Sequence, residues 1–374
     1  MDLRGASERI ESAIAEGVFP GAALGVAVDG RTHTRYHGRQ TYCPTAEPID
    51  ASSIWDLASV TKVVGTTTLV AQLIQRRELR LDDPVTRHVP TFRDHGKEAI
   101  TVRNLMVHDS GLIAFRPFHR SCTTRDEVYR LIDTERLQQP IGAKMVYSDL
   151  NLILIQRVLE SINGSALHRL AKEQVFCPHG LADTGWIHRP EGMDPLPDVR
   201  RYVPTEVMEP WRVNLRALRR TFQSTTRSAA NADHAYLQGE VHDPTATVLE
   251  GVAGHAGLFS TLPDMLQFMD RWTQGRVVPT ELVREFTRRQ SEGSSRAIGW
   301  DTKSPQGSSA GREFGPRSFG HTGYTGTSVW HDPDRELTVV LLTNRVHPTS
   351  TNTKIIAFRP ELHDAIVQAL PARG

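Results

Sequence analysis

Residues 58–75 read ASVTKVVGTTTLVAQLIQ and contain the feature that decides the fold. Ser59 and Lys62 are three residues apart, and the apolar residues from Val60 to Ile74 recur at helical spacing. The segment therefore predicts a buried helix with Ser59 in its first turn. Side chains at positions i and i+3 share a helix face, so the Lys62 amine can reach the Ser59 hydroxyl. Backbone N–H groups at a helix start also favour negative charge nearby. The pattern is typical of a serine nucleophile with a lysine partner.

The composition is that of a globular protein. The chain has 374 residues, of which 39% are hydrophobic and 23% charged. This length allows one large or two ordinary domains with a sizeable core. The formal net charge is +1, and no block of lysine and arginine stands out. Because a phosphate backbone needs a basic surface, we expect no nucleic-acid partner.

Neither a disulfide framework nor a metal centre is expected. Cys43, Cys122 and Cys177 are odd in number and widely spaced, which favours reduced, structural cysteines. The 16 histidines include no HExxH motif, so we expect no metal and no cofactor. No apolar stretch reaches about 18 residues, and the N-terminus has no apolar leader core. The sequence therefore predicts no membrane insertion and a cytoplasmic location, unless a leader has been cleaved.

Strand patterns occur towards the two ends of the chain, and helical patterns lie between them. Residues 22–36 predict a hairpin around an Asp-Gly turn, and residues 328–342 predict a second hairpin around Asp-Pro-Asp. Residues 6–16 and 361–370 predict helices near the two termini. The middle of the chain shows few strand signals. The order is thus strands, helices and strands again.

This order predicts an α/β (α+β) fold in which an antiparallel sheet is flanked by helices and built from both ends of the chain. The sheet subdomain would combine residues 1–61 and 250–374, and residues 62–249 would form an inserted, mostly helical subdomain. Residues 189–245 are long and irregular, which predicts either a lid or substrate-side insertion, or an insertion without function. A cleft between the subdomains would be the natural pocket.

A rival nucleophile motif occurs late in the chain. Gly307-Ser308-Ser309-Ala310-Gly311 satisfies G-x-S-x-G. That motif needs an apolar strand before it and a helix after it, whereas here it lies in a polar, Gly- and Ser-rich stretch. We interpret it as a solvated loop.

A second motif, Tyr147-Ser148-Asp149, precedes an apolar helical pattern. It places a phenol and a second hydroxyl at a helix start, where both can face a cleft. A phenol acts as a base only where a nearby cation favours its phenolate form, and Lys62 is the obvious cation. The alternative is a tyrosine that caps the start of the helix and has no catalytic role.

A third motif, His321-Thr322-Gly323, leads into the second predicted hairpin. A glycine on a strand edge lets a substrate approach the backbone closely and form hydrogen bonds with it. The alternative is a tight loop with no role in binding.

Taken together, Ser-x-x-Lys, Tyr-Ser-Asp and His-Thr-Gly in this order resemble the β-lactamase and penicillin-binding-protein superfamily, particularly its class C β-lactamase, D,D-peptidase and esterase branch. Residues 79–85, 105–112 and 254–261 also look like that branch. The match spans most of the chain. The resemblance implies a β-lactamase/transpeptidase-like fold.

The resemblance also implies roles for residues at matching positions. Ser59 would attack a carbonyl carbon, with Lys62 and Tyr147 sharing the proton transfers. The backbone N–H groups of Ser59 and Tyr324 would form the oxyanion hole. Asp149 and the His-Thr-Gly segment would contact the substrate.

Two departures from the family pattern bear on the substrate. His321 stands where many relatives carry lysine, which weakens recognition of a substrate carboxylate unless the imidazole is protonated. Asp149 replaces the usual asparagine, and a carboxylate cannot donate a hydrogen bond to a substrate carbonyl. Both argue against β-lactam or D-Ala-D-Ala processing, and the variants look like those of muramyl amidases and neighbouring serine hydrolases. Glu206 and His242, in the predicted insertion, are further candidate substrate contacts, with charged surface residues as the alternative.

We therefore predict a cofactor-free serine hydrolase that cleaves an ester or amide bond of a small-molecule or peptide-like substrate through a Ser59 acyl-enzyme. Three alternatives stay open: an acyltransferase that uses the same acyl-enzyme, a β-lactamase or D,D-peptidase, and a non-catalytic penicillin-binding sensor. The oligomeric state is not encoded in any of these patterns.

Overall fold

The computed structural model of the chain describes residues 1–188, 198–212, 215 and 236–371. The predicted α/β fold with an antiparallel sheet flanked by helices is confirmed. Within the described residues the strands are β1 (Gly21–Val28), β2 (Arg31–Gly38), β3 (Trp55–Asp56), β4 (Gly185–Trp186), β5 (Leu258–Ser260), β6 (Asp301–Thr302), β7 (Phe319–Thr322), β8 (Ser328–Asp332) and β9 (Leu337–Thr343).

A six-stranded antiparallel sheet in the order β2-β1-β9-β8-β7-β6 forms the centre of the molecule. Both predicted hairpins are present, as β1 paired with β2 and β8 paired with β9. The two hairpins meet where β1 pairs with β9, with Leu24 opposite Leu341. The sheet therefore joins the two ends of the chain. The division into subdomains at residues 61 and 250 remains a prediction.

Helices cover both faces of this sheet. The α-helices of the described part of the chain are α1 (Arg4–Ala15), α2 (Thr68–Gln75), α3 (Val102–Met106), α4 (Arg125–Thr134), α5 (Asp149–Asn163), α6 (Leu167–Ala171), α7 (Pro244–Val248), α8 (Leu262–Thr273), α9 (Thr280–Thr287) and α10 (Ile355–Gln368). Helix α10 begins six residues before the predicted start at 361, and Pro360 lies inside it although proline disfavours helix interiors.

The protein has two hydrophobic cores, one on each face of the sheet, because side chains along β1 and β9 point alternately to the two faces. Leu24 and Val26 of β1 and Val339 of β9 pack with the terminal helices α1 and α10. Ala23 and Val340, which point to the opposite face, join the larger core that contains α2, α5 and α8. Successive side chains of a strand face opposite sides of a sheet, so these central strands are buried on both faces.

A second, three-stranded sheet in the order β3-β5-β4 was not predicted. Its strands are two or three residues long, which is too short for a periodic pattern to show in the sequence. This sheet matters for function because β3 leads directly into the helix that carries Ser59.

The rival G-x-S-x-G motif lies in the loop between β6 and β7, as predicted, but it is not fully solvated, because Ala310 is buried in the core beneath the terminal helices. Among the described residues, no helix is both long and apolar enough to cross a membrane.

Candidate active site

Ser59 lies on a strained turn between β3 and a helix, and we call residues 56–60 the nucleophile turn. Ala58–Val60 form a 3₁₀ turn, Lys62–Thr67 form a π-helical turn, and α2 follows. The predicted helix over 58–75 is therefore present but irregular, as helices at functional sites frequently are. Ala58 has a φ of 45°, a left-handed conformation that is costly for a residue other than glycine.

Distant segments hold the nucleophile turn in place. The Asp56 carboxylate accepts a hydrogen bond from the His242 backbone N–H at 2.7 Å. Thr325 Oγ1 donates to the Asp56 carbonyl at 2.7 Å, and Thr327 Oγ1 donates to the Leu57 carbonyl at 2.9 Å. Burial of Asp56 raises the pKa of its carboxyl group. The turn is thus fixed from two directions before any substrate binds.

Lys62 makes the contact with Ser59 that the spacing predicts. Lys62 is fully buried, and its Nζ donates to Ser59 Oγ at 2.9 Å, to Asp149 Oδ1 at 2.8 Å and to the His255 carbonyl at 2.9 Å. These bonds use all three ammonium hydrogens. Burial is the largest single influence and disfavours the charge, but Asp149 and Tyr147 together outweigh it and raise the pKa of Lys62. Lys62 is therefore held as an ammonium ion.

Asp149 begins α5 and also belongs to a small polar cluster beside Lys62. His255 Nε2 lies 3.0 Å from Asp243 Oδ1, and Asp243 caps α7 by accepting the Ala246 N–H at 2.7 Å. Burial would raise the pKa of Asp243, but the contact with His255 and the nearby Lys62 ammonium lower it. One ligand atom from each of Asp149, Asp243 and His255 lies within 4.8 Å of the others. Carboxylate and imidazole groups suit a divalent ion, but the Lys62 ammonium already supplies a cation to this cluster.

Tyr147 packs beside this cluster with its ring among histidines and cations. The ring centroid is 4.6 Å from that of His108, 4.9 Å from Lys62 Nζ and 4.7 Å from Arg296 Cζ. The phenolic Oη is buried and has no hydrogen-bond partner among the described residues. The prediction that Ser148 offers a second hydroxyl to the cleft was wrong, because Ser148 is fully buried and donates to a backbone carbonyl at 2.7 Å.

His321 lies on β7 and is neutral by its contacts. It is buried, its Nδ1 is 2.9 Å from the Thr322 carbonyl, and its Nε2 is 3.4 Å from Arg296 Nη1. A carbonyl requires a donor at Nδ1, and a guanidinium requires an acceptor at Nε2, which together describe the uncharged imidazole. Burial and the Arg296 charge lower the pKa of His321 well below its ordinary value. The positive charge beside this histidine belongs to Arg296.

Gly323 is required by packing of the chain against the nucleophile turn. A Cβ atom at this position would lie 2.1 Å from Thr327 Oγ1 and 2.5 Å from the Leu57 carbonyl oxygen. Thr327 Oγ1 and the Leu57 carbonyl oxygen form one of the hydrogen bonds that hold the nucleophile turn. The close approach at this glycine is thus made by the protein's own backbone. Thr322, next to it, is half-buried.

We expect Gly323→Ala to displace the nucleophile turn and to lower the free energy of unfolding by about 1–3 kcal/mol, as overpacking does. Gly293→Ala is the matched control, because a Cβ there meets nothing within 4 Å. Urea unfolding and reactivity of Ser59 towards an acyl probe measure the two effects. Equal stability and reactivity of the two variants would contradict this account of Gly323.

Tyr324, His242 and Glu206 lie together at the exposed side of the site. Tyr324 is 55% exposed, and its ring centroid is 5.6 Å from that of His242. His242 Nε2 lies 2.8 Å from Glu206 Oε2. Burial alone would raise the pKa of Glu206, but the bonds from His242 and from the Ser350 N–H lower it to about 2. The structure thus brings these predicted residues together. The substrate contacts of His242 and Glu206 and the oxyanion-hole role of Tyr324 remain predictions.

The rest of the predicted insertion falls partly outside the described residues, at 189–197, 213–214 and 216–235. Within the described part, the sequence interpretation missed two contributors, Arg296 and His255. His255 lies in a segment that resembles the family, which was a signal for it. Arg296 has no motif around it, and three-dimensional contact alone reveals it.

Solved structures with this fold are penicillin-binding proteins, class C β-lactamases and related hydrolases. An octameric penicillin-binding protein homologue from Pyrococcus abyssi has a TM-score of 0.73 at 16% identity, with 98% of this chain and 78% of that chain covered. EstCE1, described as a hydrolase with promiscuous acyltransferase activity, has a TM-score of 0.70 at 21% identity over 96% of this chain and 97% of that chain. These similarities define the class of fold.

Sequence comparison identifies the family. The N-acetylmuramyl-L-alanine amidase of Bacillus subtilis (strain 168) is 29% identical over an alignment of 381 positions, which spans 92% of this chain and 81% of the relative. A protein of Escherichia coli (strain K12) named "Putative D-alanyl-D-alanine carboxypeptidase" is 27% identical over 329 residues, 80% of this chain and 71% of the relative. The Beta-lactamase family model matches residues 6–361. The chain belongs to the beta-lactamase family.

Proposed function

We propose that the protein is a serine hydrolase that cleaves an ester or amide bond through an acyl-enzyme on Ser59. The observation that carries this proposal is the 2.9 Å hydrogen bond between Lys62 Nζ and Ser59 Oγ, made by a buried ammonium whose position is fixed by Asp149. The names of the relatives, an amidase and a carboxypeptidase, support hydrolysis. The family membership supports a nucleophilic serine at this position.

In the proposed mechanism the proton chemistry is divided between two side chains, Lys62 and Tyr147. Lys62 is an ammonium that donates all its hydrogens, so it orients Ser59 Oγ and stabilises negative charge on it but does not take its proton in this state. Tyr147, as phenolate, would accept the Ser59 proton while Oγ attacks the carbonyl carbon. It would then return the proton to the leaving oxygen or nitrogen. Water would release the acyl group by the same route.

The oxyanion formed by this attack would be bound by the backbone N–H groups of Ser59 and Tyr324. Support comes from the bonds of Thr325 and Thr327 to the nucleophile turn, which fix the segment that contains Tyr324 relative to Ser59. Each such donor typically contributes about 3–4 kcal/mol to transition-state binding.

The substrate side of the site favours simple esters and amides over β-lactams. Asp149 bonds to Lys62 and, as a carboxylate, cannot donate to a substrate carbonyl. His321 is uncharged, so it does not attract a carboxylate. The amidase among the relatives makes an amide of the muramyl-peptide type the first natural substrate to examine.

A fluorophosphonate probe tests the nucleophile directly. We expect it to label the wild-type protein and Ser59→Ala to abolish labelling. Ser309→Ala, which alters the rival motif, is the matched control and should label normally. Equal labelling of the wild type and Ser59→Ala would contradict the proposal.

A substrate panel separates the remaining alternatives. Nitrophenyl esters, nitrocefin and muramyl peptides would be assayed with and without an amine or alcohol acceptor. Hydrolysed acid as sole product excludes acyl transfer, nitrocefin turnover would indicate a β-lactamase, and labelling without turnover of any member would indicate a sensor.

A further inference from the structure

Tyr324 is an exposed residue of the turn between β7 and β8, and we call residues 323–327 the β7–β8 turn. The backbone N–H of Tyr324 donates to no residue in the described part of the chain. Other residues of this turn are held, because Thr325 and Thr327 donate to the nucleophile turn and the Gly323 N–H donates to the Thr327 carbonyl at 2.7 Å. An exposed residue with few contacts moves easily unless another group fixes it. The position of the Tyr324 N–H therefore depends on what contacts the rest of this residue.

Arg345, which lies two residues after β9, contacts both the backbone and the ring of Tyr324. Its side chain is buried, its Nε donates to the Tyr324 carbonyl at 2.7 Å, and its Cζ lies 4.3 Å from the Tyr324 ring centroid. Its Nη1 donates to the Ser350 carbonyl at 2.8 Å and to the Asn352 carbonyl at 2.7 Å. One guanidinium therefore binds Tyr324 at two points, and two bonds to another loop fix the guanidinium itself.

The contacts of Arg345 are those of a group that fixes backbone. All its side-chain hydrogen bonds with described residues go to backbone carbonyls, and bonds from a charged donor are stronger than neutral ones. The β7–β8 turn also packs against the stem of this side chain. Gly326 has a φ of 114°, and a Cβ atom there would lie 2.9 Å from Arg345 Cγ. An arginine suits this place because its donors form a rigid planar fork that also stacks on an aromatic face.

We infer that Arg345 is a positioning residue that holds Tyr324, and with it the unbonded backbone N–H, in a fixed place relative to Ser59. The bonds of Thr325 and Thr327 to the nucleophile turn fix the rest of the β7–β8 turn, and Arg345 fixes Tyr324 itself. The catalytic consequence rests on the proposed function, in which this N–H binds the oxyanion. A misplacement of about 1 Å can cost roughly 10²-fold in rate, so Arg345 would affect the transition state without touching the substrate.

Hydrogen exchange of the peptide that contains the β7–β8 turn tests the inference without any substrate. The N–H groups of Gly323 and Gly326 are bonded within this turn, so their exchange reports its opening. We expect Arg345→Met, which removes the charge and the donors and keeps an unbranched side chain, to accelerate this exchange at least about tenfold. Arg345→Lys, which keeps the charge and loses the planar fork, should lie between Arg345→Met and the wild type. The lysine variant carries the test if the methionine variant does not fold.

Arg289→Met is the matched control for the loss of a bonded arginine. Arg289 donates to Thr302 Oγ1 at 3.1 Å and to the Lys303 carbonyl, and Thr302 pairs with Phe319 at the opposite end of β7 from the turn. This variant should exchange the β7–β8 turn at the wild-type rate. Wild-type exchange in the folded Arg345 variants would overturn the inference. This readout does not depend on turnover, so it decides the role of Arg345 even if the protein fails to hydrolyse any ester.

Inhibition by a trifluoromethyl ketone provides the second readout. The carbonyl oxygen of this inhibitor becomes an oxyanion when Ser59 Oγ adds to the carbonyl carbon, so its Ki measures binding of the oxyanion. In Arg345→Met we expect Ki to rise and kcat/KM for a nitrophenyl ester to fall, each by about 10²-fold, with KM little changed. A residue with a merely structural role would lower the active fraction, and so kcat, without changing Ki. Faster exchange with an unchanged Ki would uphold the contact of Arg345 with Tyr324 and contradict the Tyr324 N–H as an oxyanion donor in the proposed function.

Discussion

Lys62→Met is expected to lower kcat for ester hydrolysis roughly a thousandfold, and it should also lower the unfolding free energy, because the Asp149 carboxylate loses its cationic partner. Lys62 Nζ is the group that holds Ser59 Oγ at 2.9 Å, and methionine keeps the bulk of the side chain without the charge or the donors. Loss of a group that orients the nucleophile and stabilises negative charge on it typically costs about 10²–10³-fold in rate, so a loss near 10³ is expected. Steady-state kinetics with a nitrophenyl ester measures the loss.

Lys172→Met is the control for this substitution, since Lys172 is exposed and begins another π-helical turn. It should retain wild-type kcat. Circular dichroism would establish that both variants are folded. If Lys62→Met retained kcat within tenfold of the wild type, Lys62 would have no direct part in the reaction, and the site would need another partner for Ser59.

Asp149→Asn is expected to lower the unfolding free energy at neutral pH by about 3 kcal/mol, since removing one partner of a buried ion pair leaves the other charge uncompensated. In the wild type the pKa of Lys62 is raised above its ordinary value of 10.5. The pair therefore contributes its full stability below 10.5 and loses it as pH rises through the folded value. In the variant, burial, which is the largest single influence, is opposed only by Tyr147, so the pKa of Lys62 should fall below 10.5.

The sign of this shift gives the variant a distinctive pH dependence. Above the lowered pKa the unfolded chain binds more protons at Lys62 than the folded one, so the stability of Asp149→Asn should increase with pH up to 10.5. Urea unfolding at several pH values measures this. Asp82→Asn, which alters a carboxylate that is 75% exposed, should stay within about 0.5 kcal/mol of the wild type. If Asp149→Asn were as stable as the wild type at neutral pH, the claim that the Lys62–Asp149 pair stabilises the fold would be contradicted.

Local features of the chain were enough to predict the Ser59–Lys62 contact and the two hairpins. A separation of three residues on a helix constrains two side chains to one face, and a short turn constrains two strands to pair. The contact of Lys62 with Asp149 spans 87 residues, and no periodicity encodes such a distance. The sequence interpretation accordingly assigned Asp149 to the substrate, whereas its carboxylate is bonded to Lys62.

The same reason explains why Arg296 was missed. Its neighbours Tyr147 and His321 are distant in the chain, and a single arginine among the chain's 44 lysines and arginines has no distinguishing pattern. The charge state of His321 likewise depends on burial and on Arg296, neither of which is local. The sequence predicted the residue types at the site, but their charge states could be assigned only from the three-dimensional contacts.

The anchoring of the nucleophile turn has a consequence for how the protein acquires reactivity. The bonds that hold this turn reach across 186, 269 and 270 residues of chain, to His242, Thr325 and Thr327. Contacts of such sequence separation form after long loops have closed, which is an entropic barrier that local helix formation does not face. The helix that carries Ser59 can therefore exist before the site does. Reactivity of Ser59 during refolding or synthesis reports completion of the chain's global topology, so it distinguishes finished molecules from partly folded ones with native-like secondary structure.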